Sequence, residues 1–163
     1  MEFDDLIRLG QLKKEFTSKQ KIIEFLQFAE DEISAAKFNL PKFPKTAYKS
    51  AYDALMHAGN ALIRFYRYRP TAKYTHATIA EVVDRILGKD YGNLARVFKQ
   101  MRRKRHPLQY EAEFLESPQE IKDCVDKAEM LIKKIKEYIK IKPPENRFFK
   151  GRRRAVPRRF TNV

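Results

Sequence analysis

Apolar residues recur at three- and four-residue intervals along nearly the whole chain, and prolines cut that pattern into segments. The spacing is that of one helix face, not of a strand. From Lys19 to Asn39 the stripe is Ile22, Phe25/Leu26, Ala29, Ile33, Ala36 and Leu40. Ser18 stands where an N-cap is needed, and Pro41 and Pro44 close the segment. A second helix is predicted from Lys45 to Arg67 through Tyr48, Ala51/Tyr52, Leu55, Ala58/Gly59, Leu62 and Tyr66, with Pro70 ending it. A third, near Thr75 to Leu87, shows Ile79, Val82/Val83 and Ile86, with Gly88 as its C-terminal cap. A fourth, from Asp90 to Arg105, shows Leu94, Val97/Phe98 and Met101, and Pro107 is expected to stop it. Ser117-Pro118-Gln119-Glu120 has a capping residue, a first-position proline and a third-position glutamate, all of which start helices. The stripe that follows is Ile121, Val125, Ala128, Ile132, Ile135 and Ile139, before Pro143-Pro144.

No strand-like alternation of useful length appears, and residues 3–16 have helix propensity with a less continuous stripe. The pattern predicts an all-α fold, a four- to five-helix antiparallel up-down bundle with short loops. Three parts are expected: a short helical segment over 1–17, the bundle over 18–141, and a basic, flexible tail over 142–163.

Several function classes drop out on composition. No apolar run exceeds three residues, whereas a membrane span needs about 20, so no membrane partner is expected. MEFDDLIRLG is acidic and lacks the apolar core of a secretory signal. The single cysteine, Cys124, excludes an internal disulfide framework and a cysteine-based zinc site, and fits a reducing, cytoplasmic setting. The three histidines, His57, His76 and His106, form no HxxxH or HExxH pattern, so no metal and no cofactor is expected. There is no glycine-rich phosphate loop and no nucleophile elbow.

Charge points to a partner. The chain has 35 basic and 21 acidic residues, a net of +14. Residues 142–163 carry Lys142, Arg147, Lys150, Arg152, Arg153, Arg154, Arg158 and Arg159 against Glu145 alone, which is half of the excess. A polyanion, most simply nucleic acid, fits such a chain; anionic lipid fits it less well. With Phe148, Phe149 and Phe160 among its arginines, the tail reads as a nucleic-acid-binding arm centred on Arg152, Arg153 and Arg154, or as a solubilising segment.

Two internal stretches stand out. Residues 54–80 contain no acid, and within them Arg64, Phe65, Tyr66, Arg67, Tyr68, Arg69, Lys73 and Tyr74 interleave cations with rings. Stacking plus phosphate contact is how sequence-tolerant nucleic-acid sites are built, so Arg64, Arg67 and Arg69 are candidate contacts; the alternative is a helix end and loop with Tyr66 in the core. The fourth helix ends Lys99-Gln100-Met101-Arg102-Arg103-Lys104-Arg105-His106-Pro107. Helical spacing puts Arg105 on the apolar stripe with Leu94, Phe98 and Met101, and Arg103 roughly opposite. A cation facing inward must be paired by a carboxylate, by the last helix carbonyls or by a bound phosphate.

Taken in order, KIIEFLQFAEDEISAAKFNL, PKTAYKSAYDALMHAGNALI, MRRKRHPLQYEAEF and SPQEIKDCVDKAEMLIKKIKEYI make the chain resemble the HEPN domain family over roughly residues 18–140. The resemblance implies an up-down helical bundle that usually dimerises. It also implies partnership with a nucleotidyltransferase-type protein, often as toxin and antitoxin, and in many members metal-independent ribonuclease activity. The family's signature is an arginine, four to six residues, then a histidine at the end of the fourth helix; the arginine holds phosphate and the histidine moves the proton of a ribose 2′-hydroxyl. Arg105 takes the arginine position, His106 the polar position after it, and Tyr110 falls where the histidine stands. Tyrosine titrates near 10 and is a weak proton acceptor at neutral pH. A literal match from Arg69 to His76 lies in the loop after the second helix, the wrong place. The resemblance therefore implies a nucleotide- or nucleic-acid-binding module using Arg102, Arg105, His106 and Tyr110. The alternatives are an endoribonuclease with tyrosine replacing histidine, or a non-catalytic scaffold.

Overall fold

A computed structural model describes residues 2–110 and 117–141, with side chains described over 2–104 and 117–140. Among these, five α-helices are joined by one small ribbon: α1 (Asp4–Arg8), β1 (Leu12–Lys14), α2 (Lys19–Asn39), α3 (Pro44–Phe65), β2 (Tyr68–Pro70), α4 (Thr75–Tyr110) and α5 (Pro118–Ile141). The fold is an all-α bundle.

The local signals act as their chemistry requires. The Ser18 hydroxyl accepts the Lys21 N–H at the start of α2. Pro44 occupies the first turn of α3, where no N–H is needed. At α5 the Ser117 hydroxyl accepts the Glu120 N–H while the Glu120 carboxylate accepts the Ser117 N–H, a reciprocal capping box.

Helix α3 is the central element and packs against α2, α4 and α5. Its buried residues, among them Tyr48, Tyr52, Leu55, Ala58 and Leu62, run around most of its circumference. Gly59 lets α4 come close: a Cβ there would lie 2.4 Å from Ile79 Cγ2 and 3.2 Å from Val83 Cγ2. The antiparallel course of α2 and α5 is marked by ion pairs between Lys37 and Glu129 and between Glu30 and Lys136.

Helix α4 folds back on itself. Tyr91 has non-helical backbone angles (φ −132°, ψ 38°), and Lys99 Nζ lies 2.6 Å from Asp84 Oδ2 and 3.2 Å from Glu81 Oε2. In a straight helix 15 residues would separate their backbones by about 22 Å. The expected third and fourth helices are therefore the two arms of one hairpin. The break falls at Tyr91 rather than at Gly88, and the helical backbone runs through Pro107 to Tyr110 instead of stopping before it.

The ribbon is the element the sequence pattern did not predict. In the stretch expected to be helical over 3–16, only Asp4–Arg8 is α-helix. Leu12, Lys13 and Lys14 pair antiparallel with Pro70, Arg69 and Tyr68. Phe3, Leu6 and Leu12 are buried in the same core as the bundle. Phe3 meets the edges of Tyr66 and Tyr68 at centroid distances of 6.0 and 5.7 Å.

Candidate functional site

The arginines singled out in the sequence fall into two groups. Arg64, in the last turn of α3, lies 16 residues from Tyr48, which faces the end of α4. That is about 24 Å of helix rise, so Arg64 and the Lys104 side of α4 stand at opposite ends of α3, while the cleft beside Arg102 and Arg103 reaches back to Gln11, next to β1.

At the ribbon end the cations are already engaged. Arg64 donates through Nη1 to Glu15 Oε1 at 3.0 Å and to Thr17 Oγ1 at 3.1 Å, and through Nε to Asn60 Oδ1 at 3.2 Å. Its guanidinium also lies 5.1 Å from the centre of the Phe25 ring. Arg69 pairs with the second oxygen of the same Glu15 carboxylate. The bond from Arg64, reinforced by Arg69, holds the Glu15 carboxyl below its ordinary value. Arg67 turns the chain from α3 into β2 with a left-handed backbone (φ 66°), costly for a residue with a Cβ. Its carbonyl accepts the Glu15 N–H, its guanidinium lies 5.5 Å from the Phe16 ring, and burial lowers its pKa.

At the other end the second arm of α4 spreads its cations over two sides. Met101 points into the core. Arg102 and Arg103 are exposed, make no ion pair among the described residues, and line a cleft of about 370 Å³ between α1 and α4. The cleft's other cations are neutralised. Arg85 grips Asp5 in a two-point pair at 2.8 and 2.7 Å and also binds Glu81. Lys99 is held by Asp84 and Glu81, which raise its pKa. Lys104 lies on the opposite side, on a cavity of about 230 Å³ walled by Tyr48, Val97, Met101, Glu120 and Cys124.

Position 105 follows Met101 by one helical turn on the same face of α4. The side chains of Arg105, His106 and Tyr110, and the whole of Arg152, Arg153 and Arg154, lie outside the described residues.

The other two histidines are built into packing. The His76 ring stacks parallel to Tyr52, with Nδ1 and the tyrosine oxygen 2.8 Å apart. His57 lies between Phe25 and Phe28. Among the described residues no group of three or more His, Cys, Asp or Glu is placed to hold a metal ion, and no helix is long and apolar enough to cross a membrane.

Phe38 and Phe43, outside every apolar stripe, are two rings at the α2–α3 turn that are 87% and 58% exposed. The available signal was their position off the apolar stripe, inside a run of lysines without an acid.

No curated protein matches the chain at a significant level. The model of one family, described as the HEPN domain, matches residues 11–138, and these take in the ribbon, the core of α3 and both arms of α4. Such a match supports a nucleotide-binding or ribonuclease-like module in general terms. On that match and the all-α bundle around α3, the chain belongs to the HEPN domain family.

Proposed function

We propose that this chain binds RNA or a nucleotide at the C-terminal end of α4, as a dimeric component of a toxin–antitoxin-like system with a nucleotidyltransferase-type partner. The observation that carries the reading is the pair of exposed guanidiniums, Arg102 and Arg103, which no carboxylate neutralises among the described residues. Position 105 follows one turn after Met101, and on this reading its guanidinium would hold a phosphate oxygen shared between two protomers. Arg152, Arg153 and Arg154, in the basic stretch over residues 142–163, would add sequence-independent affinity. Arg64, Arg67 and Arg69 contribute less, because Glu15 neutralises two of them.

Ribonuclease chemistry is the second reading, favoured by the position of Arg105 in the family's motif. Arg105 would hold the phosphate and Tyr110 or His106 would take the 2′-hydroxyl proton. Purified protein incubated with RNA and EDTA separates the two: cleavage that vanishes in Arg105→Ala establishes the enzyme, and intact RNA removes it. For binding, Arg105→Ala lowers affinity more than Arg103→Ala. Equal effects overturn the placement at position 105. Truncation after Ile141 leaves the melting temperature unchanged and reduces the salt slope of binding. A lower melting temperature would show that the arm packs on the bundle.

A further inference from the structure

The turn between α2 and α3 is anchored, yet it leaves two large rings outside. Leu40 packs against the core, and the turn is closed by the Phe43 N–H donating to the Asn39 carbonyl at 2.7 Å. Phe38 and Phe43 flank it with most of their surface in solvent. Between Glu32 and Asp53 the sequence has no acid, and it supplies Lys37, Lys42, Lys45 and Lys49. Of these, Lys37 reaches Glu129 on α5 at 3.1 Å, and Lys42 and Lys49 are exposed.

The turn sits at the end of α3 that meets the second arm of α4. Phe43 precedes Tyr48 by five residues, about 7 Å of helix rise, and Tyr48 lines the same cavity as Met101 and Lys104. Two exposed rings and the lysines of the turn therefore lie at the end of α3 that meets Met101 and Lys104 of α4.

We infer that Phe38 and Phe43 are a stacking platform for the bases of a single-stranded nucleic acid, with the lysines of the turn holding its phosphates. This rests on the reading that the α4 end binds RNA, and it specifies the form of the ligand. Bases inside a duplex are already stacked on one another and offer side chains only their edges, whereas an unpaired base offers a whole face. A bilayer is the poorer match, because the apolar surface is two rings interrupted by Lys37, Asn39 and Lys42 rather than the continuous face an interfacial helix buries. A protein partner is the poorer match too, because lysine is depleted in protein interfaces.

The test is fluorescence anisotropy of the full chain with a labelled single-stranded RNA and with the same sequence as a duplex. Phe38→Ala and Phe43→Ala should each weaken single-strand binding about fivefold, the low end of the stacking range. They should leave duplex binding, the salt slope and the melting temperature unchanged, since each removes an exposed ring and no charge. Phe38→Leu should lose nearly as much as Phe38→Ala, because it keeps apolar area without a stacking face. Lys42→Glu combined with Lys49→Glu should instead flatten the salt slope.

Equal losses on duplex and single strand would overturn the platform. So would unchanged RNA binding in the alanine variants, with or without a loss of sedimentation on phosphatidylserine–phosphatidylcholine vesicles. If Arg105→Ala weakens RNA binding while both phenylalanine variants bind normally, the platform fails and the proposed function stands. If the unaltered chain binds no RNA, the proposed function fails first and takes the platform with it.

Discussion

The two ends of the bundle hold arginines in similar number, and only one leaves them available. At the ribbon end Arg64 and Arg69 close on Glu15, and rings of Phe25 and Phe16 cover Arg64 and Arg67. At the α4 end Arg102 and Arg103 stand in solvent beside a cleft whose other cations are tied to Asp5, Glu81 and Asp84. A cluster of like charges in sequence therefore says little about a surface until its acids are placed. Glu15 lies 49 residues from Arg64, and the acid-free window over 54–80 gives no hint of it.

The contrast is broken most directly by removing one arginine from each end. Arg64→Ala deletes a half-buried cation with three hydrogen-bonded neighbours. A loss of about 2 kcal/mol in urea unfolding is expected, from unmade charged hydrogen bonds and lost packing on Phe25. Its RNA affinity should stay close to that of the unaltered chain. An affinity loss with no stability loss would mean that the ribbon end, not the α4 end, meets the ligand.

Next in size is the reciprocal experiment. Arg102→Ala combined with Arg103→Ala should weaken RNA binding about tenfold at low salt, equivalent to about 1.4 kcal/mol, with a shallower salt slope. Stability should move by less than about 0.5 kcal/mol, as for exposed substitutions that touch no network. A melting temperature that falls with affinity would show that these two side chains support the fold.

Glu15→Gln sharpens the comparison with an effect of the opposite sign. It strips the shared anion from Arg64 and Arg69 while preserving shape. The Glu15 side chain is 40% exposed, so screening keeps the stability loss below about 1 kcal/mol. Two guanidiniums are released, and RNA affinity measured at low salt should rise. An unchanged affinity would mean that the ribbon face lies away from the path of the nucleic acid.

The helices were legible because their signals are local. Ser18, Pro44 and the Ser117–Glu120 box each act within one turn, and the apolar stripes need only the helical period. Gly59 shares a stripe position with Ala58, and its role, admitting Ile79 and Val83, shows only in the fold. Three features were not legible for physical reasons. Leu12–Lys14 is too short to show alternation, and its partner strand is more than 50 residues away. Pro107 was read as a stop, although a proline can stay in a helix that forgoes one hydrogen bond. The site was legible as charge and not as geometry: helical spacing sets Arg103 opposite the apolar stripe, and it is exposed, but the neutralisation of Arg64 and Arg69 depends on a fold-level contact. Phe38 and Phe43 were hidden because they belong to no apolar stripe, although each directly follows a lysine.

The smallest effect concerns the network that fills the α4 cleft. The two-point bond from Arg85 lowers the Asp5 carboxyl to about 2. A carboxyl lowered on folding adds stability that is fully present above its unfolded value, near 4. That stability is lost as pH falls through about 2. Asp5→Asn removes the ionisation, so its stability should decline less steeply than that of the unaltered chain between about pH 4 and pH 2. The difference between the two should vanish below that range. Some acid sensitivity remains, because Arg85 also lowers the Glu81 carboxyl and Arg64 the Glu15 carboxyl. Urea unfolding across this pH range measures the slopes. Parallel curves would mean that Asp5 is not gripped by Arg85, leaving Arg85 tied to Glu81 alone and the cleft beside Arg102 and Arg103 more basic than the ion pairs indicate.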